Sequence, residues 1–264
     1  MSERQGVLFV GDVVGSAGRR ALLDLLPELR TEFDPLFVVV NGENAAAGKG
    51  ITAKIAGEMF TAGVDAITLG NHAYRRSEAF ELLDSDPRIV RPANHFGSSP
   101  GRGSTVVEKD GVRLGILNLS GNLGMNAAHP FISTADAEIH SLRPKCDLLL
   151  VDFHAEATSE KVALGWYLDG RVTAVLGTHT HVPTADARVL PEGTAYITDV
   201  GMTGARDGVI GVNFEQALAS MTSHLPVRLE PSDGDPWINA VLVTPAAAES
   251  PARIEQILRP ASSG

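Results

Sequence analysis

The sequence predicts an α/β protein of two packed, mixed β-sheets flanked by helices, and three observations carry that expectation. Short apolar runs without polar alternation recur along the first two-thirds of the chain, as strands buried on both faces require. Segments with helical spacing lie between them, which suits parallel pairing through helical crossovers. Two locally joined strand pairs add antiparallel pairing, so one open parallel sheet fits poorly.

Taken in order, Val7-Leu8-Phe9-Val10 is the first strand run. Leu22, Leu25, Leu26, Leu29 and Phe33 then have helical spacing, with Pro27 expected to kink or interrupt the helix. After the run 36–40 comes a helix over 52–62, with Thr52 as N-cap and Gly63 as the stop. The run 66–69 precedes a third helix over 77–84. Lys109-Asp110-Gly111 between 104–108 and 112–119 is a hairpin signal. Further helices are expected over 135–142 and 159–168, around the run 148–151. The runs 174–176 and 196–197 follow. A helix over 213–225 places Phe214, Ala217, Leu218 and Met221 on one face. Residues 237–244 and 253–258 form the second strand pair, and the last few residues are expected to fray. No repeat or linker breaks the pattern, so residues 1–264 are read as a single domain.

Composition narrows the class. The chain has 264 residues, 44% of them apolar, enough for a sizeable core. No stretch approaches the roughly 20 apolar residues of a membrane span, and the N-terminal apolar run is too short for a signal peptide. The single cysteine, Cys146, excludes an internal disulfide and reads as a small packed side chain. A reduced, cytoplasmic location fits. The formal net charge of −10 argues against a general nucleic-acid surface. It does not argue against an anionic substrate, because bound metal ions make a pocket locally positive.

Seven of the runs end in metal-binding or metal-orienting residue types: Gly11-Asp12, Asn41-Gly42-Glu43-Asn44, Gly70-Asn71-His72, Asn118, Asp152-Phe153-His154, Gly177-Thr178-His179-Thr180-His181 and Asp199. Ligands of α/β sheets collect beyond the carboxyl ends of strands. That brings Asp12, Glu43, Asn44, Asn71, His72, His154, His179 and His181 to one neighbourhood. Carboxylate, amide and imidazole donors suit manganese, iron, magnesium or zinc, and the lack of nearby cysteines argues against structural zinc. His179 and His181, two apart, would face the same way in an extended segment. Taken singly, Asp12 and Glu43 also read as loop-forming or capping residues. His129, His140 and His224 read as ordinary hydrogen-bonded residues, and His95, in the loop after Arg91, fits either reading.

In order, these motifs resemble the signature of the calcineurin-like metallophosphoesterases. The chain is more closely similar to the YmdB-like phosphodiesterases, through Gly11-Asp12-Val13-Val14-Gly15, Asn41-Gly42-Glu43-Asn44-Ala45-Ala46, the segment from Asp152 to Lys161, and Ile197-Thr198-Asp199-Val200-Gly201-Met202-Thr203-Gly204. Val14 stands where the broad superfamily has a histidine, Glu43 replaces its second aspartate, and Ala73 replaces the acidic residue after the Asn-His pair. The YmdB-like pattern shares the first two changes.

The resemblance implies a four-layer sandwich of the metallophosphoesterase type and two metal ions, with iron or manganese preferred over magnesium or zinc. It implies that Asp12, Glu43, Asn44 and His181 hold one ion and that Glu43, Asn71, His154 and His179 hold the other. His72 would be the general acid, a role suited to imidazole, and hydroxide between the metals the nucleophile. Asp199 or a backbone carbonyl would orient His72. Glu156 and Thr158 either support His154 or begin the next helix. Arg91, Asn118, Thr203 and Arg206 are candidates for substrate contact.

The expected activity is hydrolysis of small phosphodiesters, with cyclic nucleotides of the 2',3'- or 3',5'-class as substrates. A phosphomonoesterase or nucleotidase, a metal-bearing nucleotide sensor, and a carboxylic ester or amide hydrolase are the alternatives. A homo-oligomer is expected by analogy, with loops 121–131 and 225–236 either at a subunit contact or framing the pocket.

Overall fold

Each apolar run becomes a strand buried on both faces because a layer packs against either side. The structure, a computed structural model, describes residues 6–223, 225–247 and 250–261. In chain order the strands are β1 Val7–Val10, β2 Phe37–Asn41, β3 Ala66–Thr68, β4 Ile89–Val90, β5 Ser104–Lys109, β6 Val112–Ser120, β7 Leu148–His154, β8 Ala174–Thr178, β9 Arg188–Val189, β10 Ala195–Ile197, β11 Gly204–Ala205, β12 Pro236–Thr244 and β13 Arg253–Pro260. The helices are α1 Gly15–Phe33, α2 Ala53–Thr61, α3 Ala79–Ser85, α4 Phe131–Leu142, α5 Thr158–Tyr167 and α6 Phe214–Ser223.

One sheet runs β11-β12-β1-β2-β3-β4, with β13 also paired to β12; the other runs β5-β6-β7-β8-β10-β9. Parallel pairing joins β1 through β4, and β6 through β8 to β10, while β5, β9 and the β12–β13 pair are antiparallel. Both sheets are therefore mixed.

Strand alternation divides the interior into three cores. Leu8, Val10, Val38 and Val40 pack with Leu22, Leu26, Leu29 and Met59 of α1 and α2. Their neighbours Val7, Phe9, Phe37 and Val39 meet Leu114, Ile116, Leu150 and Leu176 of the other sheet. Leu117, Val151 and Phe153 face outward onto Ile139, Leu142 and Leu164 of α4 and α5. Three cores separate four layers, as expected. Cys146 is buried in the last of them.

The hairpin turns through Asp110 and Gly111, both with positive φ, the geometry of a tight two-residue turn. Thr52 caps α2, its hydroxyl accepting from Ile55 N at 3.2 Å. Pro27 does not interrupt α1. It lies on the exposed face of that helix, where water can reach the carbonyl it leaves unbonded, while Leu22, Leu25, Leu26 and Leu29 hold the other face in the core. The apolar face of α6 is only partly covered: Ala217 is buried, but Phe214, Leu218 and Met221 are exposed. His140 and His129 are exposed. His224 and the C-terminal residues expected to fray lie outside the described residues. No helix among the described residues is long and apolar enough to cross a membrane.

Phe9, fully buried between the sheets, is expected to cost about 3–5 kcal/mol when truncated to alanine. Denaturant unfolding of Phe9→Ala against the parent chain measures this loss.

Candidate metal centre

The carboxyl ends of parallel strands from both sheets converge on one place. Asp12 follows β1, Glu43 and Asn44 follow β2, and Asn71 and His72 follow β3; His154 closes β7 and His179 comes directly after β8. Backbone bonds from Val13 N to Asn41 O (2.9 Å) and Gly42 N to Thr68 O (2.9 Å) hold the first three ends in register. Gly70 is required here, since a Cβ at that position would overlap Glu43 Oε2 and the His154 ring.

His154 Nε2 is the focus of the cluster. It lies 3.1 Å from Glu43 Oε1, 3.0 Å from Asn71 Oδ1 and 3.1 Å from His179 Nδ1. Asp12, fully buried, accepts from His179 N at 3.1 Å through Oδ2, and its Oδ1 lies 3.7 Å from His154 Nδ1. Asn44 donates from Nδ2 to Gly48 O at 2.9 Å, which fixes the orientation of its amide and places the same nitrogen 3.1 Å from His72 Nδ1. His72 N also donates to Glu43 Oε2 at 3.0 Å, and its ring Nδ1 lies 3.4 Å from Glu43 Oε1. Asn44 and Glu43, not Asp199, are thus the side chains in contact with the His72 ring.

The residues 179–181 do not form the extended segment that the spacing suggested. β8 ends at Thr178, and His179 and His181 both adopt positive φ, 98° and 66°. Asp199 imposes this course: its Oδ2 accepts from Thr180 N (3.1 Å), Thr180 Oγ1 (2.8 Å) and the buried Lys161 Nζ (2.6 Å), and its Oδ1 accepts from Gly201 N. His181 donates from Nδ1 to Ile210 O at 2.8 Å, leaving Nε2 as the nitrogen with a lone pair. It stands outside the tight group of Glu43, His154 and His179, near enough for its charge to act on Asp12.

A supporting set was not singled out from sequence. Thr178 Oγ1 donates to Asp152 Oδ1 at 2.7 Å and so accepts from His154 Nδ1 at 2.9 Å, which turns His154 Nε2 toward the cluster. Asp152 Oδ2 accepts from Asn41 Nδ2 at 2.9 Å. Strand-end polarity marked Asn41 and Asp152, but Thr178, within the 177–181 motif, gave no sign of its role beside the two histidines. Glu156 does support the cluster, its Oε2 3.1 Å from His179 Nε2, while Thr158 begins α5.

Other candidates have partners within the protein. Arg91 is buried and donates to the carbonyls of Pro92, Ser99 and Gly101. Asn118 donates to Asp152 O, Thr203 Oγ1 to Asn239 O, and Arg206 stacks over the Trp237 ring. His95 lines a cavity beside Asn71; burial, reinforced by the charges of Arg91 and His154, lowers its imidazole to about 4.

Burial sets the electrostatics. It pushes the Asp12 carboxyl up. For Glu43 burial acts in the same direction, but the charges and hydrogen bonds of His154 and His72 hold it well below the usual carboxylate range. Burial pulls His154 down and the Glu43, Asp12 and Asp152 carboxylates raise it by more, to about 9; His179 is lowered to about 3 by burial and the His154 charge. The opposite shifts of Glu43 and His154 express their mutual attraction in the protein alone.

The buried oxygens Asp12 Oδ1 and Asn44 Oδ1 have no hydrogen-bond partner. Unbonded buried carboxylate and amide oxygens are costly, and a cation satisfies both. The donors present fit oxygen- and nitrogen-liganded metal ions.

Residues 8–257 match the family described as YmdB-like protein. The chain belongs to the YmdB-like family. It is 47% identical over 237 residues, 90% of each chain, to the 2',3'-cyclic-nucleotide 2'-phosphodiesterase of Bacillus subtilis (strain 168). A hypothetical protein from Thermus thermophilus shares the fold with a TM-score of 0.91 and 40% identity, over 97% of this chain and 100% of that one. A Mycoplasma pneumoniae protein described as a novel phosphatase gives 0.89 and 36%, over 98% and 95%. In this YmdB-like chain the matched residues include the whole cluster together with Lys161 and Asp199.

Lys161 and Asp199 are each only 1% exposed, so removing one partner strands the other. Lys161→Met is expected to destabilise the fold by about 3–5 kcal/mol, read from the denaturant midpoint.

Proposed function

We propose that the chain is a metal-dependent phosphodiesterase acting on small phosphodiesters, with 2',3'-cyclic nucleotides the favoured substrates. The observation that carries this reading is the convergence of Glu43, Asn71 and His179 on His154, beside two buried oxygens that lack partners. The activity named for the Bacillus subtilis relative supports the substrate class.

In this reading Asp12, Glu43, Asn44 and His181 hold one ion, and Glu43, Asn71, His154 and His179 hold the other, with iron or manganese best suited to the mixed donors. Two such ions, when bound there, would polarise the phosphoryl group and lower the pKa of bound water.

The chain's own residues set the rest. Asn44 Nδ2, 3.1 Å from His72 Nδ1, and Glu43 Oε1, 3.4 Å from it, occupy that side of the ring and leave Nε2 as the nitrogen that faces substrate. That nitrogen has no protein partner among the described residues, and it delivers its proton to the departing oxygen. Thr178 and Ile210 O hold the His154 and His181 rings in their orientations.

His72→Ala is expected to lower kcat by about 10²–10⁴-fold with metal content unchanged by elemental analysis. Loss of a metal from this variant would overturn the role of His72. Metal-reconstituted protein should hydrolyse 2',3'-cyclic nucleotides and a bis-aryl phosphodiester in preference to a phosphomonoester. No turnover of any of these, or of 3',5'-cyclic nucleotides, would sink the phosphodiesterase reading; preference for the monoester would make the protein a phosphatase.

A further inference from the structure

A cavity of about 310 Å³ opens beside Asn71 and is walled by Tyr74, Arg75, His95, Phe96 and Asn126. Its size is near the lower end of the roughly 300–1,000 Å³ range of small-molecule sites, which suits one nucleotide better than an oligonucleotide.

Part of the wall is fixed in place. Tyr74 is anchored by its hydroxyl, which donates to Pro100 O at 2.9 Å, and its ring lies 5.9 Å from that of His95. Buried Asn94, next to His95, ties this loop to the loop carrying Asn126. Its Nδ2 donates to Ser120 O (2.7 Å) and His129 O (3.2 Å), its Oδ1 accepts from Ser120 N, and its carbonyl accepts from Ala128 N and His129 N. Loop 121–131 therefore frames the cavity.

Two wall groups lack an internal explanation. Phe96 is 67% exposed, touching the His129 ring only edge-on at 6.4 Å. The Arg75 guanidinium has no protein partner among the described residues, whereas the adjacent Arg76 is bonded to the carbonyls of Lys49 and Ala46. An exposed aromatic face, an amide and a free guanidinium around one cavity match the parts of a nucleotide. Any base has a face that stacks on an aromatic ring; an amide can hydrogen-bond its edge, and the planar donors of arginine match phosphate oxygens.

We propose that this cavity is the nucleoside subsite, with the base stacked on Phe96 beside Tyr74, Asn126 at the base edge and Arg75 on the phosphate. The proposal rests on the phosphodiesterase reading for the position of the phosphate, but the cavity's preference for a nucleoside can be measured separately.

The decisive experiment compares 2',3'-cyclic AMP with glycerol 1,2-cyclic phosphate, which keeps the strained cyclic phosphodiester and lacks the base. In metal-loaded Phe96→Ala the ratio of kcat/KM for the nucleotide over the glycerol compound is expected to fall about 10-fold, through KM. That change lies within the range of base–aromatic stacking, and Phe96→Trp should retain the ratio. Calorimetric titration with adenosine 3'-monophosphate, which needs no turnover, should show binding about 10-fold weaker in Phe96→Ala. An unchanged ratio together with unchanged binding would overturn the subsite, as would equal losses for both cyclic substrates. If the parent protein turned over neither compound, the phosphodiesterase reading would fall, and the titration would still decide whether the cavity holds a nucleoside.

Discussion

The buried carboxylate of Asp152 ties the two sheets together beneath the site. Asp152 is fully buried in β7, and burial raises its carboxyl to about 6. A carboxylate so placed must have both oxygens bonded. One accepts from Asn41 of the other sheet and one from Thr178 of the neighbouring strand. Each partner then acts on the cluster: Asn41 Oδ1 accepts from Glu43 N at 3.2 Å, and Thr178 Oγ1 accepts from His154 Nδ1. Glu43 and His154 come from different sheets, yet one carboxylate sets both. Their 3.1 Å approach thus depends on how the sheets are joined.

That dependence explains what was legible in the sequence. The strands were readable because double-sided burial demands unbroken apolar runs, and their polar ends were readable because ligands gather at the carboxyl edges of parallel strands. The relation between the two sheets was not, since a hydrogen bond between residues 41 and 152 leaves no local pattern. Thr178 was hidden because β-branched residues are ordinary in strands. The surroundings of Arg91 were not legible either. A loop arginine suggests an anion, but this one turns inward to three backbone carbonyls. Pro27 leaves α1 uninterrupted, because a proline on a solvent face costs a helix less when the other face is a leucine core.

Strain at the cluster follows the same logic. His179 and His181 occupy a backbone region that costs non-glycine residues of order 1–3 kcal/mol each. Such conformations persist only where the surroundings impose them, and here Asp199 does so by gripping Thr180 between the two histidines. The buried Lys161 ammonium balances that carboxylate. A surface loop with the same sequence would have no reason to keep both rings turned as they are.

The same reasoning gives physical content to Val14, where the broader superfamily carries a histidine. Val14 is buried, its amide donates to Thr203 O at 2.8 Å, and its side chain packs where a Cβ on Gly204 or Gly211 would crowd it. An imidazole there would have to displace this apolar packing at the start of α1. The neighbouring amide, Gly15 N, is bonded to Asn44 O at 3.0 Å, so the Asn44 turn already lies against this stretch of backbone. Asn44 therefore stands close in the fold to position 14, and the bond from its Nδ2 to Gly48 O fixes which way its unpartnered oxygen points. The residue with an unpartnered buried oxygen is also the one whose nitrogen contacts His72, so in the proposed reading acid and ligand positions would be coupled through a single amide plane.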